Sequence, residues 1–230
     1  MRLNLVFHNI VKDKKEIDSI FCVTWDYYFE LTQRLSILVK QNRTKFKQIC
    51  FYFDDGYSSF RDIIFPKIKD NYRNYYLAIV TDWINQDSFL DQGDILSFKR
   101  CGLNICSHGV SHSALTIYKN NKLQNVLIAG NYQNTPKGKK NILKQKEVLY
   151  QLKESKKALE QTTKQTIDEF VLPYGLYNSN IIKINKNNEI YKFISTCDQS
   201  LDKGQSLKPR FLIVNIKNVD ETLNLILNLK

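Results

Sequence analysis

Two adjacent aspartates end an apolar run that has the pattern of a buried strand. Asp54 and Asp55 directly follow residues 49–53, and Gly56 comes next. Like charges side by side at the rim of a core repel each other unless a cation lies close to them. The alternative interpretation is an ordinary turn, since Asp-Gly is a common turn pair. The stretch therefore predicts either a turn or a site that binds a cation.

Two of the three histidines stand four residues apart in the segment SHGVSH. In a helix or tight turn the imidazoles of His108 and His112 face one point, and one carboxylate completes a set of two nitrogens and one oxygen. Such a set leaves positions open for water and substrate, as expected of a hydrolytic zinc site. An open iron site accepts the same groups. Taken alone, the pair is also compatible with two histidines without function.

A pair of carboxylates allows two tasks to be divided between neighbours. One can bind the cation while the other points away across the turn and accepts a proton from water. A divalent metal lowers the pKa of its water toward about 7, so a carboxylate of ordinary strength suffices as the base. Gly56 permits the backbone bend that this placement requires.

The elements that must position these groups alternate between short apolar runs and helical patterns. We predict helices after Thr24, after Ser58 or Ser59, and over residues 90–99, 146–161 and 220–229, with a lysine-rich surface loop at 131–145. We predict strands at residues 3–8, 49–53, 75–80, 103–106, 170–172, 191–196 and 211–216. This alternation is typical of a parallel sheet, open or closed into a barrel. Without an internal repeat or a linker, we expect one domain over residues 1–230.

The residues with chemical potential collect at one place in this pattern. His8, the two aspartates, His108 and Tyr174 all lie at or just past the carboxyl ends of predicted strands. In parallel α/β folds that edge is where sites are built. We therefore expect these side chains to meet.

The composition predicts a soluble globular protein with an anionic partner. Apolar residues at 43% and charged residues at 25% are ordinary, but a formal net charge of +11 is not. It favours nucleic acid, a membrane surface or an acidic glycan without choosing among them. Five cysteines without paired spacing indicate a reducing compartment. With a poor signal sequence and no apolar stretch of bilayer length, we expect a cytoplasmic protein, at most peripheral to the inner membrane.

Three segments in this order, FDDGYSSF, ICSHGVSH and FVLPYGLYN, resemble the leading motifs of the polysaccharide deacetylases, carbohydrate esterase family four. The resemblance extends from VFHNI to KPRFLIVN, nearly the whole chain. Its motifs specify the family but not the substrate. It implies an α/β fold, a distorted (β/α) barrel of about seven strands with helices outside, which agrees with the alternation described above.

The resemblance also implies roles for individual residues. Asp54 becomes the general base. Asp55, His108 and His112 become ligands of one divalent transition metal, zinc in the first place, with cobalt, nickel or iron as alternatives. Tyr174 would line the pocket, with its backbone N–H helping to hold the oxyanion.

The chain departs from the family pattern at four places. Gly109 stands where Ser or Thr usually follows the first metal histidine, so one supporting hydrogen bond is missing or supplied elsewhere. Val171 stands where an arginine often precedes the proline of the motif. The Asp-Trp motif is not recognisable, with only Asp198 nearby. No histidine follows His112, so the C-terminal general acid of many members is absent.

Two other residues are candidates for the missing groups. In a branch resembling the poly-N-acetylglucosamine deacetylases, the acid histidine lies on the first strand in an aromatic-His-x-Ile motif, and FHNI places His8 there. Arg210, in KPRF, would neutralise and orient Asp54 from another strand. A capping or core histidine and a rim arginine that binds nothing are the alternatives.

Together these features imply a metal-dependent enzyme that removes an N-acetyl group from an amino sugar in a surface polysaccharide or glycolipid precursor. A cytoplasmic location favours a lipid-linked or nucleotide-linked saccharide as substrate. Trp83, after the third strand, could stack on a sugar ring. A docking patch for anionic lipid, or simply a solvated surface, is predicted for five lysines: Lys137, Lys139, Lys140, Lys144 and Lys146.

Three other functions compete with this interpretation. The departures at Gly109 and Val171 are compatible with a degenerate member that binds glycans without cleaving them. The same water chemistry also serves amides that are not sugars. The net charge alone favours a nucleic-acid-binding protein, but no interleaving of aromatic and basic residues supports that class.

Overall fold

The sheet predicted from the strand pattern is present and parallel. The computed structural model of the protein describes residues 1–68, 72–115 and 144–229. The strands found there are β1 (Arg2–Phe7), β2 (Ile10–Val11), β3 (Val23–Thr24), β4 (Gln48–Phe53), β5 (Tyr75–Ile79), β6 (Asn104–Ser107), β7 (Glu169–Val171), β8 (Phe193–Ser195), β9 (Leu207–Lys208) and β10 (Phe211–Leu212). Eight of them form one sheet in the order β10-β1-β4-β5-β6-β7-β8-β9, while β2 and β3 pair separately.

One extended segment joins the two edges of the sheet. Strand β9 pairs with β8 at one edge, and β10 pairs with β1 at the other. Only Pro209 and Arg210 separate these two short strands. Counted as one bent strand, β9 and β10 make the seventh strand and connect the two edges, so that the sheet curls around on itself. The predicted distorted (β/α) barrel of about seven strands is therefore confirmed.

Helices connect the strands, and most of them lie where the sequence pattern placed them. They are α1 (Trp25–Lys40), α2 (Gln92–Arg100), α3 (Gln145–Thr163), α4 (Ser179–Asn187) and α5 (Val219–Leu227). Thr24 caps α1 as predicted, with its hydroxyl oxygen accepting from the N–H of Tyr27 at 3.2 Å. Helix α4 was not predicted. No helix in the described parts of the chain is long and apolar enough to cross a membrane.

The helix predicted after Ser58 or Ser59, with its regularity limited by Pro66, is present only as short turns, and the predicted serine cap is wrong. The chain instead forms a short π-helical turn at Phe60–Ile64 and then a 3-10 turn at Phe65–Lys67. Pro66 lies at the start of the second turn, where it has no N–H to donate to a continuing helix. Ser59 makes no cap, because its hydroxyl oxygen accepts from the N–H of Ile10 at 3.2 Å instead.

The lysine-rich segment can be followed only in part. The predicted loop at 131–145 lies outside the described residues as far as residue 143, and so do Lys137, Lys139 and Lys140. Lys144 and Lys146 are exposed at the beginning of α3. The lysine patch therefore stays a prediction.

Alternation along the strands directs one set of side chains to the inner face of the sheet. Cys50 and Tyr52 of β4 and Cys106 of β6 belong to a small cluster there, separate from the larger core shared with the helices. Residues two positions apart in a strand face the same side. Asp54 and His108 therefore continue two inner rows at the carboxyl edge.

The inner face also carries a buried ion pair near the amino ends of the strands. Glu169 and Lys208 are 4% and 5% exposed, and the Lys208 ammonium donates to the Glu169 carboxylate. The other carboxylate oxygen accepts from the hydroxyl of Tyr52 at 2.9 Å and from that of Ser195. A buried charge requires such partners, because no water replaces them.

Glu169→Gln should lower the free energy of unfolding by about 3–5 kcal/mol, because it leaves Lys208 buried without its counter-charge. The matched control is Glu30→Gln, which breaks the exposed pair with Arg34 and should change stability little. Urea denaturation at pH 7 compares the two variants. Equal effects would show that the buried pair has no special structural role.

Candidate metal centre

Three side chains with metal-binding atoms converge at the carboxyl edge of the sheet. Asp55 Oδ1 lies 3.4 Å from Nε2 of His108 and 3.4 Å from Nε2 of His112. All three ligand atoms lie within 4.8 Å of one another. Two donors bound tetrahedrally to one zinc, each at about 2.0–2.1 Å, are roughly 3.3–3.4 Å apart. The two distances from Asp55 Oδ1 therefore fit a tetrahedral metal.

The Asp55 carboxylate has the environment of a ligand rather than of a surface acid. Asp55 is 8% exposed, and its Oδ1 has no hydrogen-bond partner. Burial raises the pKa of Asp55, but contact with His108 and the charges of His8 and His112 outweigh it, so the pKa lies well below its usual range. An ionised, buried oxygen without a donor is costly, and a cation would satisfy it.

His108 and His112 both direct Nε2 toward Oδ1 of Asp55, but their surroundings differ. Nδ1 of His108 lies 2.8 Å from the carbonyl oxygen of Val171, which places the hydrogen on Nδ1 and the lone pair on Nε2. Burial lowers the pKa of His108, but the hydrogen bond and charge of Asp55 and the charge of Asp54 outweigh it, so the pKa lies above its usual value. A proton therefore competes with a metal for Nε2 of His108. Burial and the neighbouring His108 lower the pKa of His112 to about 4, which keeps its ring neutral.

The turn after β4 sends the two aspartates in different directions. Asp55 and Gly56 both have a positive φ, 75° and 81°, and His112 has a φ of 54°. For residues other than glycine this conformation costs free energy and is often found at functional sites. Asp54 stays in the inner row of β4, whereas Asp55 turns toward the histidines. Adjacent carboxylates thus obtain separate partners.

Asp54 is paired with Arg210 in a fully buried contact. Nη1 of Arg210 lies 2.7 Å and 3.0 Å from the two carboxylate oxygens, and Nε donates to the carbonyl of Thr196 at 3.1 Å. Burial raises the pKa of Asp54, but Arg210, His108 and His8 lower it below its usual value. The structure thus brings Arg210 and Asp54 together and holds the carboxylate ionised.

His8 and Tyr174 also lie at this edge. Nδ1 of His8 is buried without a hydrogen-bond partner, and the ring of His8 is 5.1 Å from that of Phe21. The charge of His8 contributes to the low pKa values of Asp54 and Asp55, so this imidazole lies within electrostatic reach of both. Tyr174 is 39% exposed, and its ring centroid is 4.6 Å from that of His112.

Gln151 of α3 supports the histidine segment and was missed by sequence reasoning. Its Oε1 accepts from the N–H groups of Val110 at 2.8 Å and Ser111 at 3.2 Å, and its Nε2 donates to the Ser111 hydroxyl at 2.9 Å. A Cβ on Gly109 would lie 3.1 Å from the same oxygen. Gln151 therefore fills space that a serine or threonine at position 109 would need. The available signal was a glutamine on the buried face of a helix.

Two other residues at which the chain departs from the family pattern, Val171 and Asp198, make hydrogen bonds near the site. Val171 supplies the carbonyl that orients His108. Asp198 accepts from the hydroxyls of Tyr177 and Thr196, each at 2.8 Å. The carbonyl oxygen of Thr196 accepts a hydrogen bond from Nε of Arg210. Thr196 therefore links Asp198 to the buried ion pair of Arg210 and Asp54.

Comparison with known proteins agrees with this geometry. The model of the family described as polysaccharide deacetylase matches residues 41–193. No curated protein matches the chain. Among solved structures, the Streptococcus pyogenes deacetylase PplD in complex with acetate has a TM-score of 0.69 at 16% identity, covering 97% of this chain and 97% of that one.

Two further solved structures share the fold. A de-N-acetylase from Aggregatibacter actinomycetemcomitans has a TM-score of 0.69 at 18% identity, covering 97% of this chain and 99% of that one. A polysaccharide deacetylase from Bacillus cereus has a TM-score of 0.68 at 17% identity, covering 98% of this chain and 68% of that one. At these identities the likeness establishes the fold alone. Because the family model covers well over half of the sequence, the chain belongs to the polysaccharide deacetylase family.

Proposed function

We propose that the protein is a metal-dependent hydrolase that removes the N-acetyl group from an amino sugar in a surface polysaccharide or glycolipid precursor. Membership of the family supports carbohydrate deacetylation. The observation that carries the metal-dependent part is the convergence of Asp55, His108 and His112, with the ionised Asp54 beside them.

Asp55, His108 and His112 would hold one divalent transition metal. Two imidazoles and a carboxylate suit zinc, and cobalt, nickel or iron accept the same donors. When bound, the metal supplies Lewis acidity to the acyl carbonyl and lowers the pKa of water. The unpartnered Asp55 oxygen and the neutral His112 ring are the features that support this assignment.

Asp54 takes the proton of the attacking water. Arg210 keeps that carboxylate ionised at neutral pH and orients it from the opposite side. Since Arg210 is itself fully buried, the base is positioned before the substrate arrives.

His8 and Tyr174 act on the two ends of the amide. The imidazole of His8 gives a proton to the departing amine nitrogen as the C–N bond breaks, and the backbone N–H of Tyr174 donates to the carbonyl oxygen as it gains charge. A bond from the water oxygen to the acyl carbon replaces the bond to nitrogen. The products are acetate and a free amine.

Finer features of the substrate follow from composition rather than from the site. Lipid or nucleotide linkage, a cytoplasmic location and contact with an anionic membrane surface are predictions that rest on the net charge and on the sequence. The de-N-acetylase to which the chain is similar supports an N-acyl substrate as the first choice for assay.

The primary test measures metal content and acetate release from N-acetylated oligosaccharides. Asp54→Asn should abolish turnover with metal retained, whereas Asp55→Asn should lose metal and turnover together. Asp168→Asn changes an exposed aspartate directly before β7, at the amino ends of the strands, and is the matched control. Metal bound by the unchanged protein without acetate from any saccharide would favour the glycan-binding alternative, and failure to bind any transition metal would overturn the proposal.

His8→Ala should lower kcat by about 10²–10⁴-fold with metal still bound, the usual effect of removing one positioned proton donor. Steady-state kinetics and metal analysis are measured on the same preparation. His8→Gln, which keeps a polar side chain of similar size without a titratable ring, should be equally slow. A variant with the rate of the unchanged protein removes His8 from the mechanism.

Gln151→Leu should weaken zinc binding by about 10–100-fold, because the N–H groups that hold the histidine segment lose their acceptor. Gln151→Glu keeps an acceptor oxygen and should lose less. Zinc affinity is measured by competition with a chelator. The matched control is Gln161→Leu, a change on the exposed face of the same helix. Equal affinity in the two leucine variants would show that Gln151 does not position the ligands.

A further inference from the structure

Exposed cations surround the end of the sheet that lies opposite the candidate metal centre. Each strand from β4 to β9 is preceded, within five residues, by at least one exposed lysine or arginine. These strands are six neighbours in one parallel sheet, in the order β4-β5-β6-β7-β8-β9, so the cations lie at their amino ends. We call the eight side chains the basic rim: Arg43, Lys45, Lys47, Arg73, Arg100, Lys164, Lys192 and Lys203.

Acidic and basic residues are divided unequally between the two ends of the sheet. The described connections that enter strands at the amino ends carry seven lysines and arginines and three acids: residues 41–47, 72–74, 101–103, 164–168, 188–192 and 202–206. The described connections that leave the carboxyl ends carry four lysines and eight acids: residues 8–22, 54–59, 80–91, 108–115, 172–178 and 213–218. One of the three acids at the amino ends, Asp202, is buried in a pair with Arg2. In the part of the chain that the structure describes, positive charge is thus concentrated away from the metal-binding edge.

The fold itself does not account for the basic rim. Within residues 1–68, 72–115 and 144–229, none of its eight side chains forms an ion pair. The helix dipole favours cations at the ends of helices, where Arg100 and Lys164 lie. The other six cations lie outside the α-helices, so this preference does not explain them.

The extent of the basic rim fits a broad anionic surface rather than one small anion. Neighbouring strands are about 4.8 Å apart, so the amino ends of six strands follow an arc of roughly 24 Å. A single phosphate contacts cations at one point, whereas these cations begin from six different connections. Many charges spread over one end of a protein match a surface on which anionic groups are repeated.

Anionic lipid head groups fit this end better than nucleic acid does. Single-stranded nucleic acid binds through stacking on aromatic rings as well as through cations. In the described connections at the amino ends the aromatic residues Phe46, Tyr72 and Tyr191 are buried or half-buried, so they offer no free ring face. Attraction to an anionic lipid surface acts on each basic side chain near that surface and requires neither a ring nor a groove.

We propose that the basic rim docks the protein on a bilayer that contains anionic lipids, with the candidate metal centre facing away from the bilayer. Strand β1 has six residues, so the metal-binding edge lies up to about 20 Å farther from the lipid than the rim does. The acidic connections at that edge would be repelled by the same surface, which favours one orientation. The basic rim is separate from the lysine-rich segment, because Lys144 and Lys146 begin α3 at the other end of that helix. This inference goes beyond the proposed function and does not depend on the reaction at the metal centre.

Sedimentation of the full chain with vesicles tests the docking. The protein should bind phosphatidylcholine vesicles that contain about 30% phosphatidylglycerol, should not bind pure phosphatidylcholine, and should be released by salt. Arg43→Gln/Lys45→Gln/Lys47→Gln should weaken this binding roughly 30- to 100-fold, because three cations leave the surface. The matched control is Lys12→Gln/Lys14→Gln/Lys15→Gln, which removes the same charge from exposed side chains at the carboxyl edge. It should bind like the unchanged protein.

A second triple variant tests the basic rim as a whole. Arg73→Gln/Lys192→Gln/Lys203→Gln takes its cations from three other connections and should weaken vesicle binding to a similar degree. It also replaces the first variant if thermal unfolding shows that variant to be unstable. Acetate release from soluble oligosaccharides should be the same in all of these variants and in the unchanged protein.

The orientation can be measured through one native cysteine. All five cysteines lie in the described residues, and Cys101 alone is exposed, three positions before β6 at the amino ends. A fluorophore on Cys101 should transfer energy to acceptor-labelled lipids more efficiently than one on Cys101→Ser/Gln86→Cys, which places it at the carboxyl edge. Equal transfer from the two positions would overturn the proposed orientation.

The outcomes separate this inference from the proposed function. Equal weakening by the amino-end and carboxyl-end triple variants would show that only net charge matters, and it overturns the basic rim. Absence of binding to anionic vesicles, or tighter binding to nucleic acid at the same salt concentration, also overturns it and leaves the deacetylase unaffected. Vesicle binding that depends on the rim, in a protein that releases no acetate, supports the docking and counts against the proposed reaction alone.

Discussion

Two carboxylates in adjacent positions at the end of a buried strand impose the constraint on which the site depends. Asp54 is 3% exposed and Asp55 8%, so water screens neither charge. Each has its own source of positive charge or polarity. Arg210 contacts Asp54, and two imidazoles face Asp55, because the positive φ of Asp55 directs the carboxylates apart. Removing either source would leave a buried anion unpaired, which is the costly case.

Arg210 reaches Asp54 only because of the way in which the sheet curls. Strands β10 and β4 both pair with β1, so the bent segment that contains Arg210 lies across one strand from Asp54. That segment also pairs with β8 at the opposite edge. The segment that joins the two edges of the sheet is therefore the same one that supplies the arginine beside the proposed base. Loss of the ion pair should therefore also loosen the bent segment formed by β9 and β10.

The outline of the site could be predicted because it depends on local pattern. Asp54, Asp55 and His108 follow apolar strands directly, and parallel strands end at a common edge. Arg210 could be named as a partner of Asp54 only through the family resemblance, since nothing local ties residues so distant in sequence. Gln151 could not be predicted, because its role depends on where α3 packs against the histidine segment.

Helix α4 and the segment after Ser59 show in the same way that local sequence pattern does not determine every element. Helix α4, SNIIKINKN, is rich in asparagine and isoleucine, which are poor helix formers. It forms because Asn178 caps its first turn and because Ile181 and Ile184 are buried against the core. The segment after Ser59 has helical apolar spacing, but Pro66 and the contact with β2 prevent an α-helix. In both places tertiary packing outweighed local preference.

The motifs identify the family without identifying the substrate because chemistry and selection lie on different parts of the chain. In the proposed reaction, activated water attacks an acyl carbon whatever the amine carries, so Asp54, Asp55 and the histidines would not by themselves choose a sugar. Selection requires contact with the rest of the ligand, and the connection between β5 and α2, residues 80–91, places the Trp83 ring 5.3 Å from that of His112. Backbone bonds hold that connection to both ligand-bearing segments. Its side chains can therefore vary without displacing the candidate ligands, which would allow specificity to change while the proposed metal centre stays the same.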